Sequence, residues 1–408
     1  MEGFALLAGA TSVLASLGCL EAFWHRRHRR GVALRIHVNG TRGKSSVTRL
    51  IAAGLRNAGI RTCAKTTGTL PRFIHPDGTE QPIERVGRTN IIEQIHVIRK
   101  AARMNAEAIV LECMAVHPLL QSLCELDIVR ATHGVITNAR PDHLDVMGPT
   151  PADVARALAG TVPVNGQLFT AERNPSQLRI LKDVAKDRRS EIRAVNDADV
   201  GSISASDLQG FSYIEHPDNV ALSLSVCSAL GIERQTALEG MWLATPDPGA
   251  MSQWTVEQQG RRLVFVNAFA ANDPLSTEQI WSLANTLNAT ADSRIALVNC
   301  RADRPDRSVQ MAEMCAAWKN LDNVLVIGTG TEIFMKRALC MGVNSARLHA
   351  AERQAADSIV TKLRAVAGRL GLVMGLGNIA GVGMELVDLF RKSSLSFVPS
   401  LQPAKEAA

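Results

Sequence analysis

HVNGTRGKSSVTRL, residues 37–50, is the stretch that decides the fold. An apolar run, Val32 to Val38, gives way here to a helical pattern over Ser45 to Asn57 with Val47, Leu50, Ile51 and Leu55 on one face. A phosphate-binding loop of the common form has a glycine five residues before that of its Gly-Lys pair. Val38 stands at that place, and the first glycine is Gly40. The loop is thus a shortened one: Gly40, Thr41, Arg42, Gly43, Lys44, Ser45, Ser46. Strand, glycine loop and helix in this order aim backbone N–H groups and the positive helix end at one spot, which suits a phosphate. Lys44 is placed to neutralise phosphate oxygens, and the Ser45 hydroxyl to reach a magnesium ion. Arg42 is either a second cation over the phosphates or a charge held outward by an acidic neighbour.

Beyond this stretch, short apolar runs alternate with helical periodicity. Strands are expected at Ala108 to Leu111, Gly134 to Thr137, Leu263 to Val266, Ile295 to Val298, Val324 to Ile327 and Leu372 to Met374. The pattern is that of parallel α/β sheets. Pro246, Pro248 and Gly249 mark a linker, so the expected domains are 31–245 and 246–395, with a flexible tail over 396–408. At 408 residues, 46% hydrophobic and 21% charged, the chain has globular composition. The net charge of +6 is concentrated in HRRHRR, His25 to Arg30, whose four arginines leave +2 elsewhere. With a single tyrosine and no interleaving of basic and aromatic residues, nucleic-acid binding is not expected. The eight cysteines are scattered without a Cys-x-x-Cys pair, which fits a reducing compartment and no zinc site.

The first 30 residues differ in character. Phe4 to Leu20 is uncharged and, extended through Trp24, reaches the roughly 20 residues of a membrane helix. The basic cluster follows the apolar run, the reverse of a signal peptide. The expectation is one N-terminal transmembrane helix in the cell's inner membrane, with the remaining chain cytoplasmic. A buried or surface-attached helix is the competing reading, because Gly, Ser and Thr dilute the segment.

Two later features bear on the loop. Glu112 ends the strand EAIVLE, where an unpaired buried carboxylate is costly; it is either a cation ligand at a strand end or simply an exposed terminus. VITNARPDHLDVMG places Asn138, Asp142, His143 and Asp145 directly after another strand. Taken alone this is as readily a hydrogen-bonded loop.

Together these motifs resemble the Mur ligase superfamily of ATP-dependent amide ligases, which includes folylpolyglutamate synthase and whose loop has the short form Gly-Thr-x-Gly-Lys-[Ser/Thr]. The resemblance implies a P-loop parallel-sheet central domain and a smaller C-terminal α/β, Rossmann-like domain, with ATP and Mg²⁺ as cofactors. It implies magnesium on Ser45, Glu112 and His143, and nucleotide contacts from the loop, Asn138, Asn219 in HPDNVALSLSVCSALGI, and Asn267. GTRGKSS, TTGTLPR, NARPDHLDVMG, NAFAANDPLST and GLGNIAGVG after an N-terminal apolar helix are similar, more narrowly, to the ligase subunit of poly-γ-glutamate synthases, the PgsB/CapB type. That family implies γ-linked polymerisation of glutamate, with glutamate, the growing polymer and small integral-membrane subunits as partners, and leaves a homo-oligomer open.

The implied chemistry phosphorylates a carboxylate to an acyl phosphate, which an incoming amine attacks. Phosphoryl transfer needs charge neutralisation and in-line positioning above all, so Lys44, Glu112 and His143, with Arg301 and Arg304, are the expected catalytic residues. Arg301 and Arg304, with Arg307, in NCRADRPDRS suit bidentate recognition of carboxylate or phosphate; a solvated salt-bridged loop is the alternative. The chain departs from the peptidoglycan enzymes where Ala157 replaces a carbamylated lysine and where Gly249-Ala250 and Asn267 replace Gly-Arg and Asp. About 30 residues precede the loop, too few for a UDP-binding domain. Another Mur-type ligase such as a folylpolyglutamate synthase, or a membrane-anchored ATP-binding assembly subunit with little intrinsic ligation, are the competing functions.

Overall fold

Parallel strands whose two faces are both covered read as unbroken apolar runs, and the sequence places such runs in two separate sheets. The computed structural model describes residues 2–394 apart from 69, 86, 88, 212, 247–250, 259 and 270–273. The expected tail, Thr69, Gly249-Ala250 and part of NAFAANDPLST lie outside the described residues. The chain divides into two units, 1–247 and 248–408.

The first unit holds eight strands: β1 (Leu34–Asn39), β2 (Thr62–Thr66), β3 (Arg72–Ile74), β4 (Glu80–Pro82), β5 (Ala108–Glu112), β6 (His133–Ile136), β7 (Gln167–Thr170) and β8 (Glu191–Ala194). Their order across the sheet is β4-β3-β2-β5-β1-β6-β7-β8. β1 is parallel to β5, with Val38 opposite Glu112, and to β6, with Asn39 opposite Ile136. β3 is antiparallel to β2 and β4, and β4 closes one edge. β2, β7 and β8 are not foreseen in the sequence: TCAKT, QLFT and EIRA are short and mix polar with apolar residues, so the ladder rather than the pattern makes them strands.

Helix α1 (Glu2–Arg30) precedes the sheet, and α2 (Lys44–Asn57) follows the glycine loop. Val47, Leu50, Ile51 and Leu55 of α2 are fully buried, as their spacing predicts; each contributes about 2 kcal/mol by leaving water. Helix α3 (Glu93–Arg103) buries Val97, Ile98 and Ala101 on another face of the sheet with Ile109 and Leu111.

The expectation of a membrane span, and with it the inner-membrane location, is overturned. Segment 2–30 is one helix, but among the described residues no helix is long and apolar enough to cross a membrane. Gly9, Thr11, Ser12, Ser16 and Gly18 thin the apolar run, as the competing reading anticipated. The basic end is also not a free cluster. His25 and Arg29 are buried, with His25 Nε2 2.9 Å from the Ile128 carbonyl and Arg29 Nη1 donating to the Asp127 carbonyl at 2.8 Å. Phe4, Leu14 and Phe23, farther up the helix, are exposed.

The second unit holds β9 (Ser252–Gln258), β10 (Arg261–Asn267), β11 (Ser293–Cys300), β12 (Asn323–Gly328), β13 (Leu348–Glu352) and β14 (Leu370–Gly377), in the order β13-β12-β11-β14-β10-β9. Only β9 is antiparallel. One face packs on Trp281, Met311, Cys315 and Phe334, and the other on Ile359, Leu363, Leu386 and Phe390.

Candidate active site

The order of strands about β1 makes its C-terminal end a switch point, with β5 and β2 to one side and β6 to the other; open parallel sheets bind ligands there. The shortened loop occupies this point. Gly40 has φ +132°, and a Cβ on it would lie 2.0 Å from Thr137 Oγ1, so no other residue fits. Gly43, at φ +80°, starts α2, and a Cβ there would meet Asn219 Oδ1 at 2.6 Å. Lys44 bends back over the loop, its Nζ donating to the Gly40 carbonyl at 2.6 Å. Ser46 stands within the first turn of α2.

Glu112 ends β5 and is buried at 2% exposure. Its Oε2 accepts from Ser45 Oγ at 2.9 Å and from the Thr67 N–H at 2.7 Å, while Gln94 Nε2 holds its carbonyl oxygen at 3.0 Å. Adjacent ligands of an octahedral magnesium, each about 2.1 Å from the ion, lie roughly 3 Å apart. The Ser45 and Glu112 oxygens already have that spacing, so the pair fits a hard cation. Among the described residues, no group of three or more His, Cys, Asp or Glu side chains is placed to hold a metal ion. His143 stands at φ +46° ahead of the short helix Leu144–Met147, half-buried.

The block after β6 is tied to the loop. Asn138 Oδ1 accepts from Thr41 Oγ1 at 2.6 Å and from the Arg42 N–H at 3.1 Å, and its Nδ2 donates to the Arg42 carbonyl at 3.2 Å. Both ends of this carboxamide therefore shape the loop itself. Arg42 Nη1 lies 3.5 Å from Asp142 Oδ2, which answers the question its position raised: an acidic neighbour holds it. Ala157 is buried in the helix Pro151–Leu158, and the adjacent Arg156 pairs with Asp153 at 2.7 Å. No charged side chain from this position reaches toward Glu112.

Three site residues are not evident in the sequence. Glu172, 8% exposed, accepts from the Ala139 N–H and the Asn174 N–H, each at 2.7 Å, and so pins the block. Its signal is a carboxylate just after a strand, like that of Glu112, but β7 is too short to stand out. Glu215 is buried and accepts from Asn219 Nδ2 at 2.8 Å, the His216 N–H at 2.8 Å and the Tyr213 hydroxyl at 3.0 Å. Burial raises its pKa above the usual carboxylate value, against the pull of those donors. Beneath the loop, His37 pairs with Glu125 at 2.8 Å. Burial alone would lower the His37 pKa, but contacts with Cys113, Cys124 and Glu125 outweigh it and hold it well above the usual value.

In the second unit, Asn267 is fully buried at the end of β10 and its Oδ1 accepts from the Phe269 N–H at 3.4 Å. Arg301 is engaged by Asp303 in a two-bond pair at 2.9 and 2.6 Å, which lowers the Asp303 pKa. Arg304, Arg307 and Arg301 line a narrow cleft with Asn299 and Asn378 at the C-terminal ends of β11 and β14. The sequence-predicted arginines are thus brought together, on a strand-end edge where ligands bind in such sheets.

Residues 38–210 match the Mur ligase middle domain, and residues 254–393 match the poly-gamma-glutamate synthase CapB C-terminal domain. The capsule biosynthesis protein CapB of Bacillus anthracis is 37% identical over 387 residues, 94% of this chain and 82% of that protein. PGA synthase CapB of Bacillus subtilis is also 37% identical, over 385 residues, 94% of this chain and 96% of that one. The chain belongs to the CapB family of poly-γ-glutamate synthases. Solved structures with the same fold include folylpolyglutamate synthase of Mycobacterium tuberculosis complexed with ADP, at TM-score 0.66 and 18% identity, covering 92% of this chain and 94% of that one. The Yersinia pestis folylpolyglutamate synthase/dihydrofolate synthase complexed with AMPPNP and Mn ion matches at TM-score 0.67 and 15% identity, covering 90% and 92%. At such identity these likenesses show the Mur-ligase α/β fold, shared here by a CapB-family chain.

Proposed function

We propose that this chain is an ATP-dependent ligase that joins glutamate through its γ-carboxylate into poly-γ-glutamate, by way of an acyl phosphate. The observation that carries the reading is the Ser45–Glu112 oxygen pair, 2.9 Å apart at the mouth of a short glycine loop, in a chain of the CapB family. ATP and a divalent metal are the groups this site suits. The loop N–H groups and Lys44 bind the triphosphate, Ser45 and Glu112 hold the metal, and Asn219 lies beside Gly43 as a nucleoside contact. A bound divalent cation supplies charge neutralisation on the phosphate oxygens. His143, at the start of the short helix after β6, would be a ligand of a second ion.

The chemistry balances without a covalent enzyme intermediate. A γ-carboxylate oxygen attacks the terminal phosphorus of ATP, and the bond to the bridging oxygen breaks with ADP leaving. The amine of the next glutamate then attacks the acyl carbon; the carbon–oxygen bond to phosphate breaks, and the amine gives up a proton. Lys44 draws charge from the transferring phosphoryl group, where preorganised cations are worth most. In the second unit, the cleft lined by Arg301, Arg304 and Arg307 suits an α-carboxylate, and Asn267 suits a nucleotide contact. Accompanying subunits and self-association are readings carried by resemblance, and co-purification from the native cell tests them.

The deciding experiment incubates the full chain with ATP, Mg²⁺ and glutamate. Release of ADP and phosphate in step with a γ-linked polymer is expected, with hydroxylamine trapping a γ-glutamyl hydroxamate. ATP binding with no glutamate-dependent ADP release, in the presence of co-purified subunits, overturns the reading.

A further inference from the structure

The first turn of α3 has two sides. On one, Gln94 holds the Glu112 carbonyl at 3.0 Å, and Glu93 Oε1 accepts from the buried Lys65 Nζ at 2.7 Å. On the other, the same turn walls a cavity of about 560 Å³ between α3 and the β3–β4 hairpin, a volume typical of a ligand site. The phosphoryl chemistry above does not use this cavity, yet only one helical turn separates it from Glu112.

Its lining is amphipathic in a specific way. Ile83 and the exposed Ile92 give it apolar surface above the buried Phe73 and Val97. Arg85 and Lys100 bring cations: Arg85 grips Glu93 through Nε at 2.7 Å and Nη2 at 3.2 Å, and Lys100 Nζ sits 4.0 Å over the Phe73 ring while donating to Gln81 Oε1 at 2.5 Å. Glu93 faces two cations, Lys65 and Arg85, so that trio is net positive. Lys100 adds to it, and Glu84 at the exposed rim is the opposing charge. An ammonium has three donors, so Lys100 keeps capacity for an incoming carboxylate.

A γ-linked glutamate chain matches this surface. Each of its residues places two methylenes and an amide in the backbone and hangs an α-carboxylate from it, alternating apolar stem with negative charge. We infer that this cavity holds the γ-linked oligoglutamate already made, beside the reaction centre, with Lys100 receiving an α-carboxylate and Ile83 and Ile92 the methylenes. The inference rests on the proposed reaction and deepens it by naming where the polymer lies.

Calorimetric titration of the full chain with γ-linked pentaglutamate, beside ADP release with ATP and glutamate, tests it. Wild type should bind the pentamer, and Lys100→Glu should bind it about tenfold or more weakly, a loss of about 1.4 kcal/mol. Lys100→Arg should restore it to within about threefold, with the Tm of all three proteins alike. Equal binding by wild type and Lys100→Glu overturns the inference, and so does equally tight binding of α-linked pentaglutamate. A wild type that releases ADP with glutamate but does not bind the pentamer overturns the inference alone. A wild type that releases no ADP overturns the proposed reaction, and this inference with it.

Discussion

Ser45 and Glu112 stand 67 positions apart in the chain, yet their oxygens meet at 2.9 Å because β5 runs parallel beside β1 and brings its last residue to the mouth of the loop. At this scale charge and placement separate cleanly. Glu112→Gln preserves the acceptor but removes the charge, so glutamate-dependent ADP release should fall about 100-fold or more while the Tm changes little. Lys44→Ala should do the same, since its ammonium is the cation nearest the loop's carbonyls; steady-state ADP release measures both. Glu215 acts one step farther out. It fixes the Asn219 carboxamide against Gly43, so Glu215→Ala should raise the KM for ATP about tenfold and leave kcat at saturating ATP within about threefold. A kcat collapse with unchanged KM would show that Glu215 does not work through Asn219.

Among the elements, the turn Cys124–Val129 organises more than its length suggests. Its last carbonyls receive Arg29 and the His25 ring of α1, and its Glu125 receives His37 of β1. Arg29→Ala takes the side-chain donor from the Asp127 carbonyl, while His25 still serves that of Ile128, and should cost about 1 kcal/mol, read as a lower Tm. The His37–Glu125 pair predicts a pH dependence. Because the His37 pKa is raised in the folded state, its contribution is fully present below the ordinary histidine value of about 6.5 and is lost as pH rises through the raised folded value. Glu125→Gln should therefore lower the Tm most near pH 6, where breaking a buried pair costs about 3 kcal/mol, and the gap from wild type should narrow toward alkaline pH. A gap that widens with pH would reverse the assignment. The same turn explains why HRRHRR misleads as a membrane stop signal: two of its six residues are anchors to a neighbouring helix end, an arrangement no charge count reveals.

For the whole molecule, each unit carries its own sheet with apolar cores on it. The second unit covers both faces of its six-stranded sheet with its own helices, so a fragment 251–394 should fold alone and unfold cooperatively by circular dichroism; a fragment lacking a sigmoidal melt would show that it needs the first unit. What the sequence by itself determined is whatever depends on neighbours along the chain. The shortened loop between β1 and α2, the apolar runs of β5, β10, β11, β12 and β14, the carboxylate ending β5 and the α/β class are all local patterns, and local patterns obey local sterics and periodicity. Their combination also carries the family. What only the tertiary structure decided depends on partners far along the chain. Polar strands such as β2 and β7 exist because a ladder already stands beside them. Asn138 shapes the loop, Arg42 turns to Asp142, and Glu172 and Glu215 clamp the site, because packing brings side chains as much as 100 positions apart into contact. Helix α1 shows the limit most plainly: its hydropathy and basic end suggested a bilayer, whereas the carbonyls that take up His25 and Arg29 lie 103 and 98 residues downstream. Apolar pattern is read along the chain, but the hydrogen-bond partner that relieves a buried charge is chosen by the fold.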